Sequence, residues 1–159
     1  MSAKMAPVDL LRPLEGQREE TLRLVEALRE EDLDRVEDDS GWTVRRLLAH
    51  LAGAELGQAF MIRIASDGQV VHLSTGERDP FHIDDASRSA GWDLTRIRAE
   101  LADSRQALRE VFTVLAEEDL DRAIRWPDWP ARTIRSSIPY MLEHEDSHMD
   151  QVKRALGLS

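Results

Sequence analysis

The segment His144-Glu145-Asp146-Ser147-His148 places two histidines four residues apart near the C-terminal end of the chain. On a helix that spacing stacks them one turn apart on one face. In helical projection they share that face with Ile134, Met141, Val152 and Ala155. An unpartnered ring on such an apolar stripe costs a few kcal/mol. A metal ion would give both imidazoles one shared partner, and two separate core hydrogen bonds are the ordinary alternative. His50 offers a third ring, on a face with Thr43, Arg46, Leu47, Ala54, Gly57, Met61 and Ile64. Gly53, Ala54 and Gly57 leave space beside it, at about 1 kcal/mol per helical glycine relative to alanine. Three inward histidines on two helices of a small chain point to a metal centre of His50, His144 and His148.

Neutral imidazoles suit Zn²⁺, Ni²⁺, Fe²⁺ or Cu²⁺, and three of them leave a coordination position for water or substrate. That is the pattern of a catalytic rather than a structural site. Zn or Ni is the first expectation and Fe or Mn the second. An open metal lowers the pKa of a bound water or thiol and polarises carbonyl oxygens. Tyr140, one turn before His144, is placed to donate a hydrogen bond into the site. Arg46, one turn before His50, is placed to hold an anionic group of a cosubstrate. Their ordinary readings are a half-buried core residue and a solvent-reaching side chain. His-Glu-x-x-His also spells the zincin motif, in which the glutamate is catalytic. Only 11 residues follow His148, with no histidine or glutamate among them, so a zincin is not expected. Glu145 stays a candidate catalytic residue facing a metal-bound water, with a solvated helix face as the alternative.

Four amphipathic segments must position these residues. They span about residues 10–29, 43–64, 94–115 and 133–156. Thr43 reads as an N-cap and Gly157 as a C-terminal stop. Pro139 predicts a kink one turn before His144. In the third segment Leu94, Ile97, Leu101, Ser104, Leu108, Val111 and Leu115 alternate three and four apart, a bundle seam. The long polar connection at 66–91 reads as a crossover, lid or mobile loop. It contains His72 and His82, both expected in solvent, and the single strand candidate, residues 69–73. Trp126-Pro127-Asp128-Trp129-Pro130 reads as a rigid turn closing the end of the core. The octet from Leu28 to Arg35 recurs almost letter for letter from Leu115 to Arg122, followed by Thr43-Val-Arg-Arg and Thr133-Ile-Arg-Ser. This predicts two helix pairs related by a pseudo-twofold axis, with Tyr140 at the position of His50. The expectation is an all-α four-helix bundle forming one domain over residues 1–159.

Composition narrows the function further. The chain has no cysteine, which excludes disulfides, thiolate metal sites and a cysteine nucleophile. A net charge of −10 argues against a nucleic-acid partner. The N-terminus lacks the apolar run of a signal peptide. The most apolar stretch, 47–65, is interrupted by His50, Glu55, Gln58 and Arg63, so no membrane partner is expected. A cytoplasmic protein acting on a small-molecule substrate is the expectation.

With Gly41-Trp42-Thr43-Val44-Arg45-Arg46-Leu47-Leu48-Ala49-His50 in the second segment and His144-x-x-x-His148 in the fourth, the chain resembles the DinB/YfiT-like metalloenzyme superfamily. The resemblance covers nearly the whole chain. It implies a four-helix bundle, a divalent metal on His50, His144 and His148, and often a homodimer. Characterised relatives include mycothiol-dependent maleylpyruvate isomerase, bacillithiol S-transferases and some metal-dependent hydrolases. No C-terminal domain of the isomerase type is recognised here. Because this chain has no cysteine, a thiol nucleophile must be an external low-molecular-weight thiol acting as cosubstrate. The expected function is metal-dependent transfer of such a thiol to a small electrophile. The alternatives are a metal-dependent hydrolase using metal-bound water, and a non-catalytic metal-binding or stress-related bundle protein.

Overall fold

The computed structural model describes residues 5–69, 86–125 and 130–158. Its α-helices are α1 (Arg12–Glu26), α2 (Val44–Ser66), α3 (Ala86–Ser89), α4 (Leu94–Val114) and α5 (Ser137–Leu156). Apart from the short α3 they form a four-helix bundle. α2 packs most extensively on α4 and also on α5, and α1 packs on α5 and α4. Among the described residues, no helix is long and apolar enough to cross a membrane. His72, His82, the strand candidate beyond Gln69 and the two tryptophans at 126 and 129 lie outside the described residues.

Local chemistry explains where the helices begin and end. Thr43 Oγ1 accepts from Arg46 N at 3.1 Å and Asp93 Oδ1 from Arg96 N at 2.7 Å, each satisfying a first-turn amide. Gly157 ends α5 in the left-handed region at φ 71°, where a side chain would be strained. The seam of α4 faces inward as its spacing predicts, from Leu94 to Leu115. The first helix is shorter than expected, because Pro7–Leu11 form a 3₁₀ turn ahead of Arg12.

The start of α5 corrects the expected kink. Arg132–Thr133 form the short strand β2, antiparallel to β1 (Ala123–Ile124), and helix begins only at Ser137. Pro139 therefore lies in the first turn, where its missing N–H removes no helical hydrogen bond. Strands of two residues each carry too little alternation to be seen in sequence.

The repeated octets fold alike. Glu30–Asp34 and Glu117–Asp121 are both 3₁₀ turns, and each buries its leucine, Leu33 or Leu120. Asp32 Oδ2 accepts from Arg29 N, and Asp119 Oδ2 from Ala116 N, both at 2.9 Å. Each copy then pairs with the segment that enters its next long helix, through Val44 N to Arg35 O at 2.9 Å and Ile134 N to Arg122 O at 3.1 Å. The repeat in sequence is thus matched by equivalent turns and hydrogen bonds.

Two apolar clusters fill the bundle. One gathers Leu14, Ile62, Leu108, Phe112 and Met141; the other gathers Val25, Leu47, Leu48, Leu101, Met149 and Val152. Between them on every long helix lies a buried polar or charged residue: Arg18 and Thr21 on α1, Glu55 on α2, Ser104 and Arg105 on α4, Glu145 on α5. The core is two hydrocarbon layers with one charged layer between.

Candidate metal centre

α2 and α5 bring the three histidines together. His50 Nε2 lies 3.1 Å from His144 Nε2, and His148 Nε2 lies 3.2 Å from the same atom. His50 is buried, and His144 and His148 are half-buried. Four ligands placed tetrahedrally at about 2.05 Å from one zinc ion sit about 3.3 Å apart, close to these separations. His148 Nδ1 faces Gln151 Oε1 at 2.5 Å. A neutral ring that donates there turns its Nε2 lone pair toward the other two nitrogens. The set fits a divalent ion of borderline softness, with three nitrogen donors and room for an exogenous ligand.

Burial, and then the neighbouring His148, His50 and Arg132, hold the His144 ring down at about 3. It is therefore neutral near pH 7, the state a ligand must have.

Aromatic groups flank the nitrogens. The Trp42 ring meets His50 edge-on at 5.3 Å between centres and lies parallel to His148 at 6.3 Å. Arg46 stacks over Trp42, with its guanidinium carbon 3.9 Å from the ring centre. On the other side, the Tyr140 ring lies 5.8 Å from His144 and carries the Arg132 guanidinium at 3.4 Å. Burial pushes the Tyr140 phenol up, against the opposing pull of Arg132, so at neutral pH it is a proton donor. The sequence register that pairs Thr43 with Thr133 also pairs Trp42 and His50 with Arg132 and Tyr140. Both pairs end beside the same three nitrogens.

Of the residues singled out in sequence, His50, His144 and His148 converge, Tyr140 lies against His144, and Arg46 lies one ring away on Trp42. Glu145 is elsewhere, which corrects its reading as a carboxylate facing bound water. A helix advances about 100° per residue, so the neighbour of His144 points into the middle of the bundle. There its oxygens accept from Arg18 Nε at 2.9 Å, Arg18 Nη2 at 3.0 Å and Thr21 Oγ1 at 2.7 Å. Gly53 also differs from expectation. Its open side is taken by Arg88, whose Nη1 would stand 2.6 Å from an added Cβ. Trp42, Arg132 and Gln151 were not singled out as site residues. Gln151, one turn past His148, and Trp42, within the motif that leads to His50, carried a usable signal.

Comparison with known proteins places the fold and the family. The family model of the DinB superfamily matches residues 14–152. The uncharacterised protein YuaE of Bacillus subtilis is 23% identical over 146 residues, covering 84% of this chain and 89% of YuaE. YfiT of Bacillus subtilis, described as "a probable metal-dependent hydrolase with an unusual four-helix bundle topology", superposes at TM-score 0.74 with 18% identity, over 100% of this chain and 93% of that one. Mycothiol-dependent maleylpyruvate isomerase superposes at TM-score 0.74 with 14% identity, over 92% of this chain but 59% of the isomerase. At these identities the superpositions speak for the fold, and the family model speaks for descent: the chain belongs to the DinB superfamily.

Proposed function

We propose that the chain is a divalent-metal-dependent enzyme that joins a low-molecular-weight thiol to a small electrophile at the His50–His144–His148 centre. The observation that carries this reading is the convergence of three Nε2 atoms at 3.1 and 3.2 Å separations from two different helices. A bound divalent ion supplies Lewis acidity that keeps a thiol or water ionised at neutral pH. The chain has no cysteine, so the sulfur must come from outside it. The structural likeness to a mycothiol-dependent enzyme supports an external thiol. That enzyme is much longer than this chain, so its particular reaction does not transfer.

The surrounding residues have roles within this proposal. Gln151 orients His148, and Trp42 shields His50 and His148 from water. Tyr140 donates a proton or hydrogen bond to the electrophile as negative charge develops. Arg46 holds an anionic part of the thiol. Zn²⁺ or Ni²⁺ suits the nitrogen set best. A homodimer, a small-molecule substrate and a cytoplasmic setting belong to the same proposal.

The second reading is hydrolysis by ionised water. It is supported by YfiT, which matches over nearly the full length of both chains. A metal analysis followed by a screen decides between the two. Metal-loaded protein is offered model electrophiles with glutathione, mycothiol, bacillithiol or cysteine, and ester and amide substrates without thiol, with chelator controls. Thiol adducts formed above the free-metal rate support the transferase. Hydrolysis alone moves the assignment to hydrolase, and silence in both leaves a binding protein.

A further inference from the structure

The charged layer across the bundle is built differently from a set of isolated ion pairs. Arg18 and Glu145 meet through two contacts, Nε to Oε1 at 2.9 Å and Nη2 to Oε2 at 3.0 Å. Arg105 and Glu55 meet the same way, Nε to Oε1 at 3.0 Å and Nη2 to Oε2 at 2.9 Å. Arg18 Nη2 also reaches Glu55 Oε2 at 2.8 Å, which joins the two forks into one neutral unit. Each arginine spends its remaining Nη1 on a backbone carbonyl of another helix, Arg18 on Leu101 and Arg105 on Leu14, at 2.8 and 2.7 Å. All four long helices are tied at one level. The four charged side chains are at most 7% exposed.

Such a unit is a poor source of stability, since desolvation offsets most of its Coulomb attraction. Its distinctive property is direction. A planar fork accepts a carboxylate in one orientation, whereas leucine-like packing tolerates rotation and sliding of a helix. The two carboxylates lie on the two helices that carry the metal-site histidines. Glu145 directly follows His144, and Glu55 follows His50 by five residues. α1, which contributes no histidine, grips α5 a second time through Gln17 Nε2, bonded to Leu142 O and Asp146 Oδ1, both at 2.8 Å.

We propose that Arg18 is a positioning residue for the metal centre. By clamping Glu145 and Glu55 together, it fixes the rotation and height of α5 against α2, and so the separation of His144 and His148 from His50. This rests on the metal reading above, and the test separates the two.

The full chain, metal-free and then titrated with Co²⁺, gives both an affinity and the visible d–d spectrum of the centre. The paired swap Arg18→Met with Glu145→Met removes one fork without leaving a lone charge. Its metal-free form should keep its helix content and melt within a few degrees of wild type. Its Co²⁺ affinity should fall about 10–100-fold, the range for groups that orient ligands, with altered d–d bands. Ile62→Ala, in the apolar layer of Leu14, Leu108 and Phe112, should lower the melting temperature and leave the Co²⁺ spectrum unchanged. Should the paired swap not fold, Arg18→Lys keeps the charge but lacks the fork, and at least a tenfold loss of affinity is expected. Wild-type affinity and spectrum in the folded variant would overturn the positioning role alone. A wild-type protein that takes up no Co²⁺ would overturn the metal reading, and the positioning role with it.

Discussion

Trp42 lies flat beside His148, with 6.3 Å between ring centres and 4° between planes, and meets His50 edge-on. An indole so placed touches two of the three nitrogens' rings and should sense whatever they bind. Paramagnetic Cu²⁺ or Co²⁺ at the centre should quench its fluorescence strongly. The chain has 4 tryptophans, so the comparison is between wild type and Trp42→Phe. The metal-dependent part of the emission should mostly disappear in the variant while metal uptake persists. Equal quenching in both proteins would place the ion elsewhere.

How much of this was legible in the sequence depended on the periodicity of each signal. Leu94 to Leu115 gave α4 its inward face because seven positions repeat at helical spacing, and all seven are buried. His50, His144 and His148 were legible for a related reason: their rings fall on apolar stripes of two helices, and the packing of those helices brings them together. Glu145 was misplaced because its partner, Arg18, is 127 residues away and no local pattern connects them. Arg105 was hidden for the same reason, a buried arginine on a seam otherwise read through its apolar members. Pro139 misled because β2 and the turn after it delay the start of α5, a choice set by pairing with β1.

Each of the three histidines should contribute to metal-dependent stability. A ligand held only by the folded state stabilises it by about 2.7 kcal/mol at 100 times its dissociation constant. For a domain of this size that corresponds to roughly 5–10 °C in Tm. His50→Ala, His144→Ala and His148→Ala should each lose most of that increment in scanning calorimetry with and without Zn²⁺. Gln151→Leu should lose only part, since it removes the orientation of His148 rather than the donor. A chelator that leaves the wild-type melting curve unchanged would remove the ion as an organising feature.

Acid should act on the metal-free protein through two groups with opposite charge types but the same sign of effect. Burial first, and then neighbouring His148, His50 and Arg132, lower the His144 pKa from 6.5 to about 3. Between those values the unfolded chain binds a proton that the folded chain does not, so stability falls as pH drops through that window and is untouched above it. Glu37 is lowered from 4.5 to about 2, first by its hydrogen bonds with Ser40 and then by Arg154. Its stabilising effect is complete above 4.5 and is lost as pH falls toward 2. Melting temperatures measured from pH 8 to 2.5 should show a shallower slope between 6.5 and 3 in His144→Phe. In Glu37→Gln the flattening should be confined below about 4.5. A His144→Phe profile parallel to wild type would mean that this ring is not held neutral.

Glu145 offers the sharpest contrast between a catalytic and a structural carboxylate. It stands within a His-Glu-x-x-His sequence, yet both its oxygens are engaged by Arg18, and Thr21 adds a third bond at 2.7 Å. Burial pulls the Arg18 guanidinium pKa down, but the charges of Glu55 and Glu145 and the bonds to them move it up overall. Glu145→Ala leaves that cation in the bundle interior without its bidentate partner. Losing one member of such a buried pair costs about 3–5 kcal/mol. The variant should therefore unfold at markedly lower urea concentration, and adding Arg18→Met should recover much of the loss because the stranded charge goes with it. A general base would behave otherwise: its removal would leave the urea midpoint near wild type and lower turnover alone. Equilibrium unfolding of Glu145→Ala, Arg18→Met and the double variant, read as a double-mutant cycle, decides between the two roles.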